Sequence, residues 1–189
     1  ADLKPQPQSG GVGIDSPQVG IRSGEPPTVG MGANPTLASV LQAAGYATSA
    51  IVDNPNVAAS LGYAKGFATY RETWEEKSLA TEMDRTRAIT EAGVSFLKAA
   101  RPDRPFLLWL HYVNPHAPYE PPPPFDRMFE PFPTEGHPAR DPRTDYKEPL
   151  DRERMIAQYD GDIAFGDREF GRFVRELKAA GRYEDALIV

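Results

Sequence analysis

The stretch Phe106-Leu107-Leu108-Trp109-Leu110-His111-Tyr112-Val113-Asn114-Pro115-His116-Ala117-Pro118-Tyr119 decides how this chain reads. Phe106 through Leu110 is an unbroken apolar run, and the chain then turns into two histidines set among prolines. Apolar residues without polar alternation fit a strand buried on both faces, the pattern of a parallel sheet. Open parallel sheets hold their ligands at the carboxyl ends of the strands. Both histidines are expected at that end. An imidazole there can donate to an anionic oxygen, pass a proton to a leaving group or ligate a metal.

Upstream, Asn34-Pro35-Thr36 reads as a helix start, with Asn34 as cap and Pro35 in the first helical position. Leu37, Val40, Leu41 and Ala44 follow at helical spacing, and Gly45 ends the helix. Ala47 to Val52 reads as a short strand, with Asp53-Asn54-Pro55-Asn56 as the turn at its carboxyl end. Residues 56–61 fit one or two helical turns, and 67–70 a brief extended piece. A long helix is expected over about 79–100, with Ile89, Ala92, Phe96, Leu97 and Ala100 as its apolar stripe. Pro102 and Pro105 stop it before the apolar strand.

Eleven of the 20 prolines fall between Pro115 and Pro149, so the excess belongs to one loop at 114–149. A loop of that length is often a functional wall or lid. A second long helix is expected over about 150–180. Its core face would carry Met155, Ile156, Tyr159, Ile163, Phe170, Phe173, Val174 and Leu177, and Gly181 would end it. Ala186 to Val189 reads as a further apolar strand. The alternation of strands and helices is the rhythm of an α/β fold with right-handed crossovers. Residues 1–33, rich in Gly, Pro, Ser and Gln, show no periodicity and read as an irregular segment ahead of an α/β domain over 34–189.

The chain has 189 residues, enough for one domain with a real core. Its net charge of −6 argues against a nucleic-acid binder, which would carry a basic face. No apolar run approaches the roughly 18 residues that a membrane-spanning helix needs. Cysteine is absent, which excludes disulfides, thiolate metal sites and a cysteine nucleophile within these residues. A start at Ala1 and a last residue inside an apolar run lead us to expect a piece of a longer protein.

Four stretches, in order, resemble the sulfatases of the alkaline-phosphatase-like superfamily. Pro35-Thr36-Leu37-Ala38 through Ala44-Gly45-Tyr46-Ala47-Thr48 is similar to that family's PTLAxxLxxAGYxT segment. Gly62-Tyr63 through Gly66-Phe67 is similar to its GFxxGF turn. Trp109-Leu110-His111-Tyr112 through Pro115-His116-Ala117-Pro118-Tyr119 is similar to its HYxxPHxPY loop. Tyr159 through Asp167 and Gly171 is similar to its YxxxIxxxDxxxG helix. The resemblance spans about residues 34–189.

The resemblance implies part of an alkaline-phosphatase-like α/β domain, a mostly parallel or mixed central sheet flanked by helices. It implies metal-dependent hydrolysis of a sulfate ester on a small molecule or a glycan. A formylglycine hydrate would be the nucleophile and a divalent cation, usually Ca2+, the cofactor, in a periplasmic or extracellular setting. The family's CxPSR nucleophile motif does not occur here, nor do its metal ligands, so this chain is expected to be inactive alone. Where the family has GKWHLG, the chain reads Ile51-Val52-Asp53-Asn54-Pro55-Asn56, without the family's Lys or His.

By the same resemblance, His116 contacts the sulfate and is the first catalytic candidate. The plain alternative is a loop histidine bonded to nearby backbone. His111 would orient another group, or be a satisfied core histidine. Asn54 and Asn56 could donate to a sulfate oxygen without charge, yet Asn before Pro is also ordinary turn chemistry. Asp160, Asp162 and Asp167 do not share one helix face and read as surface or supporting groups, and no metal ligand is assigned to this chain. His137 reads as exposed loop, and the Pro121–Pro124 run as a stiff spacer. Two rivals remain: a phosphodiesterase or phosphotransferase of the same superfamily, and a non-catalytic module binding a partner through the 115–149 loop.

Overall fold

The structure, a computed structural model, describes residues 34–129 and 149–189. The first helix, α1 (Leu37–Ala43), is capped by Thr36 and not by Asn34. The Thr36 hydroxyl accepts from the Ser39 N–H at 3.0 Å, and Ser39 Oγ accepts from the Thr36 N–H at 2.9 Å. These reciprocal bonds satisfy two donors that a helix start leaves open. The Thr36 hydroxyl also donates to the Lys65 carbonyl at 2.8 Å, which fixes the helix start against a distant turn. Pro35 therefore precedes the cap. At the other end Gly45 has φ +92°, and the N–H groups of Gly45 and Tyr46 donate to Gln42 and Leu41 at 3.0 Å each. This double closure asks for a left-handed residue, and glycine adopts that conformation without strain.

Three strands, β1 (Ala47–Val52), β2 (Thr69–Glu72) and β3 (Phe106–His111), form a parallel sheet in the order β2-β1-β3. Ala50 lies opposite Tyr70 and Trp109, and Val52 opposite Glu72 and His111. The buried centre is β1, whereas every residue of β3 is half-buried. The apolar run at 106–110, expected to be buried on both faces, is thus only half-buried: β1 carries a ladder on both edges, and β3 has one neighbour among the described strands. Buried hydroxyls in β1 are accommodated by specific partners. Thr48 Oγ1 accepts from the Ala68 N–H at 2.9 Å, and Ser49 Oγ accepts from the Thr69 hydroxyl at 2.7 Å.

Helix α2 (Glu82–Ala99) starts at a Thr81–Asp84 capping box, slightly later than its apolar stripe suggested. Its buried face runs through Thr86, Ile89, Thr90, Gly93 and Leu97, while Phe96 is only half-buried. A Cβ on Gly93 would stand 2.9 Å from Leu110 Cδ1, so α2 lies unusually close against β3.

Helix α3 (Pro149–Ala179) is turned differently from the expectation. Its buried residues Ala157, Gly161, Phe165, Glu169, Phe173 and Leu177 lie on a four-residue ladder, with Asp162 buried beside it. Ile156, Tyr159, Ile163 and Phe170, expected inside, are exposed by 38–46%. The cause is steric. A Cβ on Gly161 would come within 2.5 Å of the Phe125 carbonyl, so the loop at 121–125 needs the smallest residue of the helix against it. With Gly161 inward, Phe165 meets Met83 and Phe125, and Phe173 and Leu177 meet Val94 and Leu97.

Ala186–Val189 forms no strand, and Leu187 and Val189 stand exposed. A strand exists through its ladder, and these residues pair with none of the described strands. Of the expected long loop, the described part 112–129 holds one 3-10 turn at Phe125–Arg127, and residues 130–148 lie outside the described residues. The orientation of α3 predicts a sharp contrast between two phenylalanines. Phe165→Ala is expected to cost roughly 3–5 kcal/mol, and Phe170→Ala less than about 1 kcal/mol, by urea unfolding with an unchanged slope. A larger loss at Phe170 would mean that the helix presents its other face.

Candidate active site

The carboxyl ends of β1 and β3 lie on the same edge because the strands run parallel. Asp53 follows β1 directly and is buried. Its carboxylate accepts from Arg85 Nε at 2.8 and 2.9 Å, and from the Thr73 hydroxyl at 3.0 Å. Arg85 belongs to the first turn of α2, so this pair ties the start of the helix to the exit of the central strand. A charge removed from water needs such partners to be tolerated.

One residue into the same helix, Glu82 holds the loop that follows β3. Asn114 Nδ2 donates to Glu82 Oε1 at 2.8 Å, and the Thr86 hydroxyl donates to Asn114 Oδ1. Tyr112 is tied to α2 as well, its hydroxyl 3.0 Å from that of Thr90, and burial pushes the pKa of its hydroxyl above the ordinary tyrosine value. His116 stands two residues beyond Asn114, exposed, between cis peptide bonds at Pro115 and Pro118. Burial pushes the Glu82 carboxyl up to about 7. The nearby charges of His116 and Arg85 oppose that rise, and Asp53 and Glu120 add to it. His116, Glu82, Arg85 and Asp53 therefore share one electrostatic neighbourhood at the rim of the sheet.

The other expected residues divide. Asn54 does turn chemistry: its Oδ1 accepts from the Asn56 N–H at 2.9 Å and caps a 3-10 turn over Pro55–Val57. Asn56 is exposed at the same turn. His111 ends β3 half-buried, edge-on to the Trp109 ring at 5.8 Å, with a buried Nδ1 that has no hydrogen-bond partner.

Of the two readings given to Asp162, a surface or a supporting group, the surface one does not hold. Asp162 is fully buried on α3, and neither carboxylate oxygen has a partner. Burial first, then the negative charges of Glu82 and Glu120, push its carboxyl up to about 7. The ladder of small and apolar residues from Ala157 to Leu177 was the available signal for its inward position. The role of Glu82 had no local signal, because it depends on Asn114 arriving from 32 positions away. Among the described residues no group of three or more acidic or histidine side chains is placed to hold a metal ion. These residues do not fit the divalent cation that the resemblance implies.

Removal of the Arg85 charge tests the anchor of this site. Arg85→Met is expected to destabilise the chain by roughly 3 kcal/mol, the low end for a broken buried pair, because the Arg85 side chain keeps 23% exposure. Chemical denaturation measures this, and a loss below about 0.5 kcal/mol would rank the pair with ordinary surface bridges.

Comparison with known proteins adds the family. Residues 12–189 match the Sulfatase family model. A comparison with curated proteins finds no match. Among solved structures the chain is similar to the one described as "Crystal structure of Ps i-CgsB in complex with k-i-k-neocarrahexaose". The identity is 20% and the TM-score 0.49, over 77% of this chain and 37% of that one. The present chain thus spans little more than a third of that neighbour's length. With the family model covering nearly all of it, the chain belongs to the sulfatase family, and its parallel sheet with flanking helices is part of that family's alkaline-phosphatase-like α/β fold.

Proposed function

We propose that this chain serves a hydrolase of sulfate esters, on a small molecule or a glycan, and that His116 meets the sulfate group. The observation that carries the reading is the place of His116. It lies on the loop leaving β3, at the carboxyl edge of a parallel sheet, in a chain matched by the sulfatase family over residues 12–189. Ligands of such sheets gather at that edge.

Cleavage of a sulfate ester breaks the S–O bond to the leaving alcohol, whose oxygen gains negative charge. An imidazole at 116 can donate a hydrogen bond to a sulfate oxygen, or give its proton to the departing oxygen. Asn114, held by Glu82 and Thr86, fixes the loop two residues before that ring. The amides of Asn54 and Asn56 stand at the exit of β1 as uncharged donors, and His111 ends the neighbouring strand β3, opposite Val52. The nucleophile is not a cysteine of this chain, since the chain has none.

Two measurements test the reading. Titration with inorganic sulfate, followed by nuclear magnetic resonance, is expected to shift the ring signals of His116. His116→Ala is expected to abolish the accompanying shifts in the 112–120 amides. Equal amide shifts in that variant would place anion binding elsewhere. The chain alone is expected to turn over no aryl sulfate, and measurable turnover would contradict the assignment of the nucleophile to residues outside it.

A further inference from the structure

Asp162 and the two carboxylates near it make a poor surface for an anion. A fully buried carboxyl without any hydrogen-bond donor cannot carry its charge cheaply, and losing its proton is the costly direction. From α2 the charge of Glu82 acts on Asp162, and Arg85, with Asp53 from the exit of β1, acts on Glu82. From the loop, Glu120 faces both carboxyls and His116 faces Glu82. Arg85 is already engaged by Asp53, so no described guanidinium bonds to Asp162.

We propose that Asp162 and Glu82 form a proton-holding carboxyl pair, and that loss of its proton loosens the loop that carries His116. The geometry supports the coupling. The loop from Asn114 to Phe125 touches both of the helices that carry these carboxyls. It packs on α3 where Gly161 touches Phe125 and Pro121, and where Gly166 stands against Asn114. It is fastened to α2 through the Asn114–Glu82 bond. When both carboxyls ionise they repel, and Arg85 and His116 offset only the charge of Glu82. The loop carries little regular backbone bonding, one 3-10 turn among its described residues, so it is the part that yields.

The direction of the pH effect follows from the two carboxyls. Folding raises Asp162 from 3.8, and Glu82 from 4.5, to about 7. Over that interval the folded chain keeps protons that the unfolded chain has lost. Stability is therefore greatest below the ordinary carboxyl range and falls as pH rises toward 7. The consequence for function rests on the sulfatase reading: below pH 7 the rim beside His116 carries less negative charge and admits an anion more readily. The pair itself does not depend on that reading.

The full chain can be tested directly. The Asn114 side-chain amide, which donates to Glu82, is expected to shift with a midpoint near 7, together with the amides of 116–120. In Asp162→Asn, which keeps the shape and removes the charge, the midpoint is expected to move down, because a like charge nearby no longer opposes ionisation of Glu82. The fall in melting temperature between about pH 5 and about pH 8 is expected to shrink in the same variant. Identical amide profiles in wild type and variant would overturn the proposal. Infrared difference spectroscopy on the wild type gives an answer even if the variant does not fold. A protonated-carboxyl band at about pH 6 that vanishes by about pH 8 is expected, and its absence overturns the pair. Neither readout involves sulfate, so a failed pair and a failed role for His116 are separate results.

Discussion

Asp53 sits where the central strand ends, with its carboxylate almost wholly enclosed. Left alone there it would cost several kcal/mol. The guanidinium of Arg85 and the hydroxyl of Thr73 hold it from two directions. Thr73 Oγ1 also lies 3.2 Å from the Val52 carbonyl, at the last residue of the strand. Because α2 enters the sheet edge through this pair, Glu82 and Thr86 arrive where they can grip Asn114. The position of the histidine loop is thus a consequence of how one buried charge is compensated.

A helix start next to a strand end gives the site its rigidity on one side. The other side is α3, which is fitted by shape rather than by charge. Gly161 admits the loop, Phe165 fills the space between Met83 and Phe125, and Arg168 lies over the Phe125 ring at 4.6 Å. The same fit carries Asp162 inward, one residue beyond the glycine. A small residue needed for packing therefore determines that the carboxyl of Asp162 is buried. Packing and electrostatics are coupled here through a single turn of helix.

Much of this was legible in the sequence, and the failures have physical causes. Strand β1, both long helices and the closing Gly45 follow from periodicity and from chain breakers, which are local properties. The order of the strands is not local. Hydroxyls at Thr48 and Ser49 disguised the central strand, because their partners come from residues 68 and 69. The face of α3 was misread because Ile156, Tyr159, Ile163 and Phe170 outweigh alanine and glycine in apolarity, whereas close approach favours the small residues. His116 was legible as a candidate from its motif and its place after a strand. Asn54 was legible equally as a turn residue, and it caps the turn. Glu82 and Asp162 gain their setting only when three segments distant in sequence meet.

The central claim is that the start of α2 holds the imidazole of His116 at the carboxyl rim of the sheet. Nuclear Overhauser contacts between the His116 ring protons and the Glu82 methylene protons test it most directly. The account predicts such contacts in the folded chain, together with contacts from Asn114 to Thr86. A His116 ring that shows contacts only to its own loop neighbours would contradict it.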